Sequence, residues 1–210
     1  MVTEIAGIIL AGGLSRRMGG GDKPLLSLNN ARLIDHVAAR FTPQVATLAI
    51  NANGDPARFA GIDLPVLADT VPDYAGPLAG ILTGLEWAAT QSGCEAMVST
   101  AGDTPFFPGD LVERLVQAAG EQPGKIAVAS SDGRWHPTFA LWPLGLRESL
   151  RRFLVDEDNR RVSAFMERHG FVVVDFPMIE AEGQRIDPFF NVNTPDDLAV
   201  AKRLLQSLHP

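Results

Sequence analysis

Eighteen residues near the amino terminus, IILAGGLSRRMGGGDKPL at 8–25, combine bare backbone with positive charge. Gly12, Gly13, Gly19, Gly20 and Gly21 are interspersed with Arg16, Arg17 and Lys23. Glycine lacks a Cβ and enters φ > 0 freely, so such a loop can turn its N–H groups onto a bulky anion. Arginine offers a planar fork of donors for phosphate oxygens, and lysine adds a point charge on a flexible stem. A triphosphate suits this set better than one carboxylate. Neither G-x-x-x-x-G-K-[ST] nor a helix-opening G-x-G-x-x-G is present, which weighs against P-loop and dinucleotide-binding readings.

Three more polar residues stand directly behind apolar runs. Asp103 follows 95–101 and could hold a hard divalent cation, since Mg²⁺ takes only one or two protein carboxylates and fills its shell with water and phosphate. Asn51 follows 45–50 and Asp69 follows 64–68. A carboxylate at position 69 can accept from guanine N1–H and N2–H₂, a donor pair that adenine and cytosine do not offer in the same arrangement. Helix or turn capping remains open for both carboxylates. No Ser-His-Asp or Cys-His set for nucleophilic catalysis can be picked out.

The elements that must position these groups follow from periodicity. A first strand ends at Leu10, and residues 31–42 place Leu33, Ile34, Val37, Ala38 and Phe41 at helical spacing. Strands over 45–50 and 64–68 follow, then a helix opened by Pro77 with Gly76 and Gly80 beside it. The glycines would allow close approach of a ribose or base, or ordinary packing. A strand at 95–101, a helix with Leu111, Val112, Leu115, Val116 and Ala119, and a strand at 125–129 complete the alternation. This order predicts a three-layer α/β/α fold with a mostly parallel, Rossmann-like sheet, whose carboxyl edge collects the ligand-binding loops. Beyond it lie a strand with Phe139, Leu141 and Trp142, two arginine-rich helical stretches over 145–168, a strand at 171–176, and a helix announced by Thr194, Pro195, Asp196 and Asp197. Most of those arginines read as a solvated face, with Arg160 and Arg161 as candidates for an acceptor phosphate.

At 210 residues and 46% hydrophobic content the chain can bury one full core, so a single domain is expected over 1–210: a nucleotide-binding half, 1–129, and an acceptor-binding half, 130–210. The net charge of −7 argues against nucleic acid as a partner and makes the basic first loop a local exception. No apolar run reaches membrane-spanning length, and no secretory signal is indicated, so the expected compartment is the cytoplasm. Cys94, the only cysteine, excludes an internal disulfide and is expected to be buried.

The first loop resembles the nucleotidyltransferase signature L-A-[GA]-G-x-S-x-R-M-G-x-x-K, met by Leu10, Ala11, Gly12, Gly13, Ser15, Arg17, Met18, Gly19 and Lys23. LAGG together with RMG-x-x-DK is most similar to the molybdenum cofactor guanylyltransferase family. The resemblance extends to Asn51, Asp69, GPLAG at 76–80, DTP at 103–105, HPT at 136–138 and NVNTP at 191–195. It implies a nucleotide-diphospho-sugar (GT-A-like) transferase fold and transfer of GMP from GTP to the molybdenum–molybdopterin cofactor. Leu10, Ala11, Gly12, Gly13, Lys23, Asn51, Asp69, Gly76 and Asp103 would bind nucleotide, and Arg17, Lys23 and Asp103 would serve catalysis, with Asp103 on Mg²⁺. His136, Asn191 and Asn193 would meet the acceptor. GTP and the molybdopterin cofactor are the implied partners, with cofactor-insertase and apo-molybdoenzyme maturation proteins as candidates. A related pyrophosphorylase transferring CMP or another NMP to a pterin or sugar phosphate is the alternative; a non-catalytic regulatory subunit fits intact Lys23 and Asp103 poorly.

Overall fold

A computed structural model describes residues 4–12, 22–71, 76–181 and 183–208. The elements run β1 (Glu4–Leu10), β2 (Ser27–Leu28), β3 (Ala31–Arg32), α1 (Leu33–Phe41), β4 (Thr47–Asn51), β5 (Val66–Leu67), α2 (Pro77–Ala88), β6 (Cys94–Ala101) and α3 (Leu111–Glu121). They continue with β7 (Ile126–Ser131), β8 (Arg134–Pro143), α4 (Arg147–Val155), α5 (Val162–His169), β9 (Phe171–Asp175), β10 (Ile179–Ala181), β11 (Gln184–Ile186) and α6 (Pro195–Leu208). Seven strands form one sheet in the order β5-β4-β1-β6-β8-β7-β9. All neighbours pair parallel except β8, which runs antiparallel to both β6 and β7.

Side chains alternate across a strand, so β1 feeds two cores at once. Ile5 and Ile9 pack with α1 and α3 through Ile34, Val37, Phe41, Leu111 and Leu115. Ala6 and Ile8 face α2, α4 and α5 through Leu82, Leu85, Phe153 and Phe165. The expected three layers are therefore present, with apolar strands buried on both faces as parallel sheets require. A smaller cluster of Leu28, Leu33, Phe106, Val192, Ala201 and Leu204 seats α6 beside the first hairpin.

The structure amends several expectations. The helix predicted over 31–42 begins at Leu33, because Ala31 and Arg32 pair with Ser27 and Leu28 in a hairpin whose turn holds Asn29 at φ 55°. The second strand begins at Thr47, a one-turn 3₁₀ segment at Thr42–Gln44 intervening. β10 and β11 form a second small hairpin that the periodicity did not mark. Cys94 is partly exposed, not buried, at the start of β6; its partial burial and nearby Glu4 both push the thiol pKa up. No helix among the described residues is long and apolar enough to cross a membrane.

Candidate nucleotide site at the carboxyl edge of the sheet

The loop leaving β1 is pinned between its neighbours. Ala11 N donates to Asn51 O (2.9 Å), and Gly102 N donates to Leu10 O (3.0 Å). Leu10, Ala11 and Gly12 thus emerge between the ends of β4 and β6. Gly13 and Arg17 lie outside the described residues.

At one end of this edge, Asp69 is held by two amides. Asn51 Nδ2 donates to Asp69 Oδ1 and Asn53 Nδ2 to Asp69 Oδ2, both at 2.8 Å. Asp69 N returns a 2.8 Å bond to Asn53 Oδ1. Each carboxylate oxygen keeps lone-pair capacity after these contacts, so the group is aimed but not saturated. Among the described residues Asp69 caps no helix, and the N–H of the next residue, Thr70, donates to Thr83 Oγ1 on α2 (3.0 Å). Asn51 is 5% exposed, and a Cβ added at Gly80 would lie 2.2 Å from its Oδ1. Gly80 therefore makes room for the protein's own carboxamide. Gly76 differs: its φ of 138° favours glycine, yet among the described residues nothing lies within 4 Å of where a Cβ would stand.

At the other end, Lys23 Nζ donates to Asp103 Oδ2 and to Asn193 Oδ1. The Lys23 and Asp103 side chains are 14% and 17% exposed. Thr104 Oγ1 donates to Asn191 Oδ1 (2.5 Å) and lies 3.3 Å from Asp103 Oδ1. Asp103 does not cap α3; its carbonyl accepts from Val192 N (3.0 Å). Asn193 is fixed at the α6 terminus, where Asn193 N and Thr194 N donate to Asp197 Oδ2 (2.8 Å each) and Asp197 N donates to Thr194 Oγ1 (3.1 Å). This reciprocal cap satisfies helix-end donors that would otherwise be orphaned.

A bridge joins the two ends. Arg58 donates to the carbonyl of Asn53 and, at 2.5 Å, to Asp22 Oδ2 beside Lys23. Asp22 belongs to the RMG-x-x-DK pattern, whereas Asn53 and Arg58 are not singled out by the sequence. Asn53 carried a usable signal, since residues two apart at a strand end share a side; Arg58 carried none.

His136 sits further along the same edge, 8% exposed. Ser131 Oγ lies 2.7 Å from His136 Nε2 and donates to Asp187 Oδ1 (2.8 Å), and Asp187 Oδ2 is 3.6 Å from the same ring nitrogen. With its one proton committed to Asp187, Ser131 accepts from His136 Nε2–H. Burial holds the His136 pKa below the usual imidazole value; Asp187 works against this and Arg134 with it. A serine, a histidine and an aspartate thus do meet. Yet Ser131 is 1% exposed and its proton points to the carboxylate, so the trio is no nucleophile relay. Elsewhere, Arg161 N caps onto Asn159 Oδ1 (3.1 Å), and Arg160 Nη2 lies 3.2 Å from Asp158 Oδ1.

The amide-held carboxylate after β5 and the lysine–aspartate pair after the central strand β6 share the carboxyl edge of a mostly parallel α/β/α sheet, the edge on which open α/β folds bind ligands. Residues 7–172 match the model of the MobA-like NTP transferase domain. The molybdenum cofactor guanylyltransferase of Mesorhizobium japonicum is 64% identical over 208 residues, 99% of each chain. Molybdopterin-guanine dinucleotide biosynthesis protein A from Archaeoglobus fulgidus superposes with a TM-score of 0.74 at 20% identity, covering 96% of this chain and 98% of that one. A Mycobacterium tuberculosis protein solved in complex with manganese gives 0.67 at 18% identity, covering 96% and 98%. The chain belongs to the MobA-like NTP transferase family, in the group of the molybdenum cofactor guanylyltransferases.

Proposed function

We propose that the protein transfers GMP from GTP to the molybdenum–molybdopterin cofactor, forming the guanine dinucleotide and releasing pyrophosphate. The observation that carries this reading is the pairing of Lys23 with Asp103 on an edge whose far end presents an oriented Asp69. Asp69 accepts guanine N1–H and N2–H₂, with Asn51 and Asn53 holding its oxygens in place. Leu10, Ala11, Gly12, Gly13 and Gly76 border the nucleotide, and Arg17 and Lys23 neutralise the triphosphate.

Asp103 is the proposed ligand for Mg²⁺. Among the described residues no group of three or more His, Cys, Asp and Glu side chains could enclose a metal ion. The donors at hand, the Asp103 carboxylate with the Asn191 and Asn193 side-chain oxygens nearby, are hard oxygens, which suits a cation that leaves most of its shell to water and phosphate. Bound there, Mg²⁺ would supply charge stabilisation on the phosphates. The manganese bound by the mycobacterial structure supports a divalent ion on this fold.

The acceptor's terminal phosphate oxygen attacks the α-phosphorus of GTP in line, and the bond to the bridging oxygen of the β-phosphate breaks as pyrophosphate leaves. A phosphomonoester with a second pKa of about 6 is largely dianionic at pH 7, so no strong general base is needed. Lys23 and Arg17 meet the charge that develops, and positioning supplies the rest. The acceptor lies against 187–193, with Asn191 and Asn193 in front and His136 at the end of that segment.

Thermal denaturation with Mg²⁺ and, separately, GTP, ATP, CTP or UTP tests the reading. Ligand at about 100 times its Kd adds roughly 2.7 kcal/mol, or about 5 to 10 °C for a chain of this size. A shift confined to GTP supports guanylyl transfer, which an assay for dinucleotide and pyrophosphate formation completes. A shift confined to CTP turns the reading to cytidylyl transfer and removes the role given to Asn51 and Asp69.

A further inference from the structure

Residues 187–193 run along the carboxyl edge as a strap, tied at one end to β7 and β8 and at the other to α6. Phe189 N and Ser131 Oγ both donate to Asp187 Oδ1 (2.8 Å each), and the His136 ring stacks on Phe189 at 4.6 Å and 27°. Phe189 in turn packs on Phe139 at 4.9 Å and Phe176 at 5.5 Å. Beyond Phe189 the strap is seated a second time, by Phe190 stacked on Phe106 (5.6 Å, 11°) and by Val192 buried against Leu28, Leu33 and Phe106; its polar contacts there are Asn191 with Thr104, Val192 N with the Asp103 carbonyl, and Asn193 with Lys23. Those contacts are the site itself. Burying a serine, a histidine and a carboxylate together is costly unless each is satisfied by the others, and these three satisfy one another and the strap backbone.

We infer that Ser131, His136 and Asp187 form a latch that sets the register of the strap, so that His136 is a positioning residue acting on Asn191 and Asn193, not a group that touches the acceptor. The inference rests on the proposed transfer reaction for its catalytic consequence. Its structural content stands independently: removing the latch loosens the strap's β7 end, leaving Phe190 and Val192 as its remaining anchors, and leaves the Asn51–Asp69 cluster, which shares no residue with it, as it was.

Three variants, His136→Ala, His136→Gln and Asp187→Asn, test this in the full chain. Hydrogen exchange of the amides in 187–193 reports the strap, the GTP-induced thermal shift reports nucleotide binding, and turnover reports transfer. The expected result for His136→Ala is faster exchange confined to 187–193, an intact GTP shift, and a kcat lowered by about tenfold to a hundredfold with unchanged KM for GTP, the size expected of a small misplacement. Asp187→Asn should reproduce it although the imidazole remains, and His136→Gln, which keeps a side-chain N–H donor, should recover most of the activity. Unchanged exchange with lost turnover overturns the latch in favour of direct acceptor contact. Loosened exchange with full turnover also overturns it, as does a GTP shift lost in parallel. If the unaltered protein transfers no GMP, the proposed reaction fails, while the exchange measurement still decides whether the latch exists.

Discussion

At the end proposed to read the base, the hydrogen bonds aiming Asp69 span 16 or 18 residues of sequence; at the proposed phosphate end, Lys23 reaches Asp103 across 80 residues and Asn193 across 170. The first set joins the exits of β4 and β5, adjacent parallel strands, with neutral amides on one carboxylate. The second joins the first loop, the exit of β6 and the approach to α6, with charge at its centre. Bringing distant segments together carries a larger ordering cost, which the rest of the fold must cover. The base end is thus preset by local strand pairing, whereas the phosphate end depends on how the strap docks.

Three measurements would break or sharpen this contrast. The largest effect is expected for Asp103→Ala, which removes the proposed metal ligand and the partner of Lys23. Turnover should fall by about three orders of magnitude or more, the size of a lost multi-kcal/mol electrostatic contribution, while circular dichroism stays that of the folded protein. Full activity in this variant would remove the metal assignment. Asp69→Asn should act on affinity and selectivity instead, weakening GTP binding by about tenfold to a hundredfold through lost charge-assisted hydrogen bonds and narrowing its advantage over ATP in the same titration. An effect on kcat alone would erase the distinction between the ends. The smallest effect is on stability against pH. Burial lowers the pKa of both His136 and His169, with Arg168 adding to the effect at His169. The unfolded chain therefore takes up more protons than the folded one as pH falls below about 6.5. Tm should hold above that pH and decline beneath it, less steeply in His136→Gln; a flat profile would refute the lowered pKa of these rings.

Much of the base end could be read in advance. Apolar runs closing in Asn51 and Asp69 mark strand ends, and strand ends in a parallel sheet share one edge. The pattern alone leaves Asp69 and Asp103 as possible caps, and the family resemblance is what turns both toward the ligand. The phosphate end was legible only in pieces: NVNTP announced a helix start, but nothing in its spacing tells that Val192 backs onto the Asp103 carbonyl or that Asn193 meets Lys23. The Ser131, His136 and Asp187 trio escaped because Asp187 stands 56 residues from Ser131, beyond the reach of any local pattern. Arg58 escaped because a cation after a turn looks solvated until its partners, Asp22 and the Asn53 carbonyl, are known.

The bare backbone at position 80 has an implication for redesign. Because α2 meets the Asn51 carboxamide without an intervening methyl group, the residue at 51 sits in a notch cut to its shape. On the proposed reading, retraining the enzyme toward another base by exchanging Asn51 and Asp69 alone would leave a new side chain to fill a mould made for the old one. On the same reading positions 51, 69 and 80 are coupled through Asn51, which donates to Asp69 and fills the space a Cβ at Gly80 would take, so a change of nucleotide calls for altering them together.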